Sequence, residues 1–133
     1  MSQEKNVEIV RRVFGATNRG DWDTVLAAYS PDTEWDDRDL RPEGAVYRGI
    51  DAMRAEMRAW FGTWSNYHQE IEQLFDAGDD VVVVLRESGV GKGSGATMDQ
   101  RIGVVVTVRG GLIARTRLYR DPAQALEAVS RSE

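Results

Sequence analysis

The chain has 133 residues, 41% hydrophobic and 29% charged, with a formal net charge of −5 and a pI near 5.0. That length suits one domain with a sizeable core, and the acidic balance argues against a nucleic-acid partner, because phosphate binding needs a basic stripe. No cysteine occurs and His68 is the only histidine, which excludes disulfides, thiolate nucleophiles, cysteine-ligated metals and multi-histidine metal sites.

The opening Met-Ser-Gln-Glu-Lys is polar, with no apolar signal region, and no run approaches membrane-spanning length. A cytoplasmic location without membrane attachment is the expectation. Ser2 can cap a first helix running to Asn18. Val7, Val10, Phe14 and Thr17 recur there at three- and four-residue spacing, and Val13 widens the stripe. Gly20 suits the position just past a helix end. Asp21 caps a second helix, Trp22 to Tyr29, which Pro31 cannot continue. A short strand, Thr33 to Arg38, alternates Trp35 and Asp37 against Glu34 and Asp36. A loop with Pro42 and Gly44 leads to a brief extended piece at Val46–Arg48. Gly49 opens a third helix, Ile50 to Trp64, with a wide apolar stripe of Met53, Met57, Trp60, Phe61 and Trp64.

Four strands are predicted next: His68–Asp76, Val81–Val90, Met98–Val108 and Leu112–Tyr119. Ala77-Gly78-Asp79-Asp80, the segment Gly91–Gly95 and Arg109-Gly110-Gly111 reverse the chain between them, so they form an antiparallel meander. Val81–Leu85 and Gly103–Val108 are apolar on both faces, so both sides need cover. Asp121 and Pro122 start a short closing helix, Ala123 to Val129. Helices first and strands later indicate an α+β domain. With three helices on one face of a strongly curved sheet, the other face predicts a homodimer that buries Val83, Leu85, Val105 and Ile113.

Several segments, taken in order, carry a resemblance. They are Asn18-Arg19-Gly20-Asp21-Trp22, Tyr29-Ser30-Pro31-Asp32-Thr33-Glu34-Trp35, Tyr47-Arg48-Gly49, Ala77-Gly78-Asp79-Asp80-Val81, Gly110-Gly111-Leu112-Ile113 and the stretch from Tyr119 to Ala128. The chain resembles SnoaL-like proteins of the nuclear transport factor 2-like superfamily, which includes ketosteroid isomerases and polyketide cyclases. The resemblance spans nearly all of residues 1–133 as a single domain. It implies a cone-shaped α+β barrel, a curved and mostly antiparallel sheet with helices packed on its concave face, and a pocket between them. Dimers through the convex face are common in the superfamily. The fold hosts isomerases, cyclases, hydrolases, dehydratases and binders without catalysis. The expected function is therefore cofactor-independent proton transfer on a small hydrophobic molecule, or binding of such a molecule alone.

Asp37 is the foremost catalytic candidate. It shares a strand face with Trp35, and a carboxylate beside indole and apolar groups is a plausible proton acceptor. Counted from Tyr29, it also resembles the general base of ketosteroid isomerases. The bland alternative is a solvated run of Asp36, Asp37 and Asp39. The positions that hold the isomerases' hydrogen-bond donors carry Val13 and approximately Val104 here, which removes the donors from the oxyanion. Arg86 resembles the arginine of limonene-epoxide-hydrolase-like members, but its aspartate partners are Ser88 and Leu118; otherwise Arg86 is a surface ion-pair residue. Asp99 and Arg101, two apart, read as an ion pair on the convex face, while Gln100, Ile102, Val104, Thr116 and Leu118 face inward. Met53, Met57, Trp60, Phe61 and Trp64 read first as core. Trp60 and Trp64 also suit a slot with Trp35 and Tyr47 that takes a flat ligand. The expected cavity is mostly apolar with one ionisable group, bordered by Trp35, Tyr47, Trp60 and Trp64. Arg86, Gln100, Tyr47 and His68 are the candidates for a second polar group beside Asp37. The Gly89–Gly95 glycines lack a GxxxxGK[ST] pattern and read as a flexible hairpin tip.

Overall fold

Ten elements follow one another in the order α1 (Gln3–Arg19), α2 (Trp22–Ala27), β1 (Tyr29–Asp39), β2 (Val46–Arg48), α3 (Ile50–Phe61), β3 (Trp64–Ala77), β4 (Asp80–Gly91), β5 (Thr97–Arg109), β6 (Leu112–Tyr119) and α4 (Pro122–Ser132). The computed structural model describes residues 3–132, with side chains from residue 5 to residue 129; the predicted cap Ser2 lies outside the described residues. Six strands form one open, curved α+β sheet in the order β2-β1-β6-β5-β4-β3. Strand β1 runs parallel to β6, and the other neighbours are antiparallel. The predicted meander is present as β3 to β6. No helix among the described residues is long and apolar enough to cross a membrane.

Helix α1 buries Ile9, Val10, Val13, Ala16 and Thr17, while Val7 and Phe14 of the expected stripe are only partly buried, so the buried face is turned from the predicted one toward Ile9 and Ala16. Asp21 caps α2, its carboxylate accepting from the Thr24 backbone N–H at 3.3 Å and from the Thr24 hydroxyl at 2.7 Å. The second helix is shorter than expected. Tyr29 belongs to β1 instead, buried and paired with Ile113 on β6. The third helix also ends early, at Phe61. Trp64 opens β3 opposite Gly91, and a Cβ added at Gly89 would lie 3.2 Å from the Trp64 Cβ. The indole therefore needs the bare backbone of β4, which a place on the helix would not give it.

Helices α1 and α3 pack on the sheet's inner face and α4 packs on the outer one. The first helices thus lie on the concave side as expected, and the closing helix, to which the sequence assigned no face, covers part of the other side. Gly103 is the seat of α4: a Cβ there would lie 2.6 Å from the Ala125 Cβ and 2.9 Å from the Pro122 Cα. Val82 and Val105 are buried beneath Ala125 and Val129. Val81, Val83, Leu85, Ile102, Val104 and Ile113 belong to the main core on the inner side. The predicted outer set of Val83, Leu85, Val105 and Ile113 is thus wrong in three members, and the fourth lies under a helix. Register explains it. Val83 pairs with Val104 and Leu85 with Ile102, and directly opposed residues share a face. On β6, a register shift after Thr107 lets Ile113 and Thr116 both face inward although they are three residues apart.

Candidate functional site

A cavity lies between the sheet's inner face and α1 and α3. Its wall includes Trp35, Trp60, Leu118, Val13 and Val104, together with two polar clusters. Its volume is about 60 Å³ measured as the space open to the centres of water-sized molecules. A space of that order, lined mostly by apolar side chains, suits a small ring compound.

The first cluster is built on β1. Asp37, 1% exposed, faces the cavity beside Trp35, as their shared strand parity predicts. The chain then turns back on itself. The backbone N–H groups of Leu40 and Arg41 donate to the Asp37 carbonyl at 3.1 and 3.2 Å. A Cβ at Gly44 would lie 2.2 Å from that same carbonyl oxygen, so the loop closes only with glycine there. The turn swings Arg41 over the strand end, where Nη2 donates to Asp37 Oδ2 at 2.6 Å. The Ala45 N–H donates to Asp37 Oδ1 at 2.8 Å. Arg41 also bonds Glu56 of α3, and its guanidinium sits 5.5 Å from the centroid of the Trp60 ring. Burial pulls the Arg41 guanidinium down, but its bonds to Asp37 and Glu56 outweigh that and leave it above the ordinary arginine range. Asp37 is therefore a paired and oriented carboxylate, not a bare one among apolar groups.

The second cluster comes from β3 and β4. Glu87 is 3% exposed and accepts from the Tyr67 hydroxyl and, at 2.6 Å, from Gln100 Nε2. Gln69 Nε2 donates to the Tyr67 oxygen at 2.9 Å. Burial, and then the Glu87 charge, push the Tyr67 hydroxyl well above its usual range. A bulge aims Tyr67: two residues, Asn66 and Tyr67, oppose the single Gly89, and Asn66 takes φ +53°. Parity thereby resets, so Trp64 and Tyr67 lie on one face. Asn18, at the end of α1, clamps the Gln69 backbone through bonds of 2.8 and 2.7 Å. Elsewhere on the wall, burial raises the Tyr29 hydroxyl, which lies beside Thr116.

Asp37, Trp35, Trp60 and Leu118 are thus brought together on one wall. Gln100 reaches it only through Glu87. Tyr47 stands on β2 opposite Trp35, outside the wall, its hydroxyl raised by partial burial and the charges of Glu56 and Asp37. Trp64 is also off the wall, edge-on to Trp60 at 5.4 Å, with its indole N–H buried and unbonded. Arg86 is exposed on the outer face, held bidentately by Asp99 at 2.9 and 2.8 Å. The expected pairing of Asp99 with Arg101 is replaced, since Arg101 bonds Glu72 at 2.5 Å. His68 is exposed. The expectation of one ionisable group fails, because Arg41, Glu56 and Glu87 join Asp37 on the wall.

Those three escaped the sequence reading, and two had a signal. Glu56 lies three residues after Met53 and four before Trp60, on the apolar stripe itself. Glu87 continues the face of Val83 and Leu85 once Val104 is placed inward. Arg41 had none, since its position depends on how the Pro42–Gly44 loop folds. Among the described residues, no group of three or more His, Cys, Asp or Glu side chains is placed to hold a metal ion.

The family model described as a SnoaL-like domain matches residues 10–116. An uncharacterised protein of Mycobacterium tuberculosis is 32% identical over 128 residues, covering 92% of this chain and 95% of its own. Among solved structures, a nuclear transport factor 2-like protein from Burkholderia thailandensis is 30% identical with a TM-score of 0.76, over 90% of this chain and 95% of that one. A protein described as a SnoaL-like polyketide cyclase, from a Jannaschia species, is 22% identical with a TM-score of 0.77, over 96% and 92%. That last similarity bears on the fold.

Proposed function

The chain belongs to the SnoaL-like domain family, and we propose that it is a cofactor-independent enzyme that moves a proton on a small, largely apolar ring compound held in this cavity. The observation that carries the reading is Asp37, 1% exposed on the cavity wall, with both carboxylate oxygens fixed by Arg41 and Ala45. Such a carboxylate is already oriented for proton abstraction, and no solvent shell has to be stripped from it first. In this account Asp37 takes the proton, Arg41 holds Asp37 in place, and Trp35, Trp60 and Leu118 contact the ring. Val13 and Val104 offer no hydrogen bond to a developing oxyanion. The C–H must then be acidic before it binds, as when two carbonyls flank it. A cyclic β-keto ester of one ring meets both the size and the acidity.

Deuterium exchange at that carbon, followed by NMR, tests the reading. Wild type should accelerate exchange, and Asp37→Asn should lose about 10²–10⁴-fold of that acceleration. Equal rates in the two proteins would remove Asp37 as the base. A second reading, a binding module without catalysis, draws on the fact that both Asp37 oxygens already hold partners; it predicts ligand binding with no exchange above the buffer rate. A homodimer belongs to the same proposal through the family resemblance. Its outer face would carry the Arg86–Asp99 and Arg101–Glu72 pairs in place of the apolar set first expected. Light scattering across micromolar concentrations decides it, a monomer throughout counting against the dimer.

A further inference from the structure

Glu87 is a buried acid without a cation. It is 3% exposed, and no salt bridge among the described residues includes it. Its partners Tyr67 and Gln100 are neutral donors. Asp37 and Glu56, by contrast, share Arg41. Three acids (Asp37, Glu56, Glu87) and one arginine (Arg41) line the cavity, so its wall carries two more carboxyl groups than cations. A buried charge without a partner is costly, and a ligand of opposite sign relieves that cost.

Gln69 supplies an independent observation. The Tyr67 hydroxyl has one hydrogen, which goes to Glu87, so its oxygen accepts from the Gln69 amide nitrogen. That fixes which way the amide faces. It leaves Gln69 Oε1 buried with no hydrogen-bond partner, on a residue that lines the cavity. An unmet acceptor calls for an N–H or O–H group. The rings of Trp60, Phe61 and Tyr67 share this wall, and Trp60 already carries the Arg41 guanidinium against its ring. Aromatic faces of this kind attract cations.

We propose that the ligand of this cavity carries a protonated primary amine, seated between Glu87 and Gln69 Oε1 against the rings of Trp60 and Tyr67. The positive charge offsets Glu87. An ammonium N–H satisfies Gln69, which a quaternary ammonium cannot do. The cavity suits a remainder of one small ring on a short arm. Asn66 is the positioning residue, since its left-handed bulge turns Tyr67 inward. This inference rests on reading the cavity as a ligand site but not on Asp37 acting as a base.

The test titrates four probes of one shape at neutral pH by tryptophan fluorescence: benzylamine, benzyltrimethylammonium, benzyl alcohol and phenylacetate. On wild type, benzylamine should bind roughly tenfold or more tighter than benzyl alcohol, and phenylacetate weakest. Glu87→Gln should erase the preference for the amine and leave benzyl alcohol unchanged. Gln69→Leu should weaken benzylamine and leave benzyltrimethylammonium as it was, and this arm decides the matter if Glu87→Gln does not fold. Benzyl alcohol binding as tightly as benzylamine overturns the proposal, as does a preference that survives Glu87→Gln. Asp37→Asn should keep the preference while losing proton exchange. If Asp37→Asn erases the preference instead, the ammonium sits at the other acid and the assignment to Glu87 fails. Binding of none of the four overturns both this inference and the ligand site it rests on.

Discussion

Arg41→Ala should destabilise the fold by about 2–4 kcal/mol. The exposure of the groups involved sets this magnitude. Arg41 is 28% exposed, and it serves two carboxylates, Asp37 at 1% and Glu56 at 16%. Breaking a fully buried ion pair by removing one partner costs roughly 3–5 kcal/mol, whereas an exposed pair contributes about 1 kcal/mol or less. Arg41 lies nearer the buried limit because the charge it leaves behind, on Asp37, is out of contact with water. For a domain of this size each kcal/mol moves Tm by roughly 3–5 °C, so calorimetry should show a fall of roughly 6–20 °C. A double-mutant cycle with Asp37→Asn isolates the pair. The double variant should be less destabilised than the sum of the singles by about 1–3 kcal/mol. A loss below about 1 kcal/mol, or additive singles, would mean that Arg41 is a surface residue in solution and that Asp37 is held by other groups.

Three further outcomes follow from the packing and charges. Gly103→Ala should cost about 1–3 kcal/mol by urea titration, because its methyl would enter the Ala125 and Pro122 contacts and lever α4 off the outer face; an unchanged midpoint would mean that α4 shifts freely. Leu85→Ala should cost about 2–5 kcal/mol and Arg86→Ala about 1 kcal/mol or less, since Leu85 is in the inner core and Arg86 in an exposed pair; the reverse order would invert the parity of β4. Asp36 is held below its ordinary value by the Arg38 side-chain hydrogen bonds, which outweigh its burial. An acid depressed in the fold stabilises it above the unfolded-state value and ceases to as pH falls through the folded-state value. Asp36→Asn should therefore be less stable than the parent at neutral pH and approach it in acid, whereas a gap that stays constant with pH would place the effect in packing.

Much of the architecture was legible because its signals are local. The α1 stripe, the Asp21 cap and the Gly-containing turns each act within a few residues, and the meander follows from them. The placement of Asp37 beside Trp35 came from the two-residue period of an isolated strand. What failed needed information from another strand. Val81–Leu85 is apolar throughout, so nothing in those residues says which of them face inward, and the wrong choice carried Arg86 into the cavity and left Glu87 out of it. Bulges at Asn66 and in β6 reset parity without a compositional mark. Trp64 looked helical because its spacing continues from Trp60, but Gly62 and Thr63 end the helix and β4 supplies glycines beneath the indole. Arg41 depended on a loop whose closure rests on the absence of a Cβ at Gly44.

The central claim is that the space beside Asp37 holds a small ring compound. It can be tested by titrating acetophenone into uniformly ¹⁵N-labelled protein and following the four tryptophan indole N–H signals. Trp35 and Trp60 line the cavity, while Trp22, 38% exposed, lines a separate groove with Leu26 and Arg58. The account predicts saturable shifts at Trp35 and Trp60 with Trp22 unmoved. It also predicts that affinity falls roughly tenfold in Trp60→Ala and changes by less than about threefold in Asp37→Asn, which keeps the cavity's shape. Shifts confined to Trp22, or equal losses in the two variants, would contradict it.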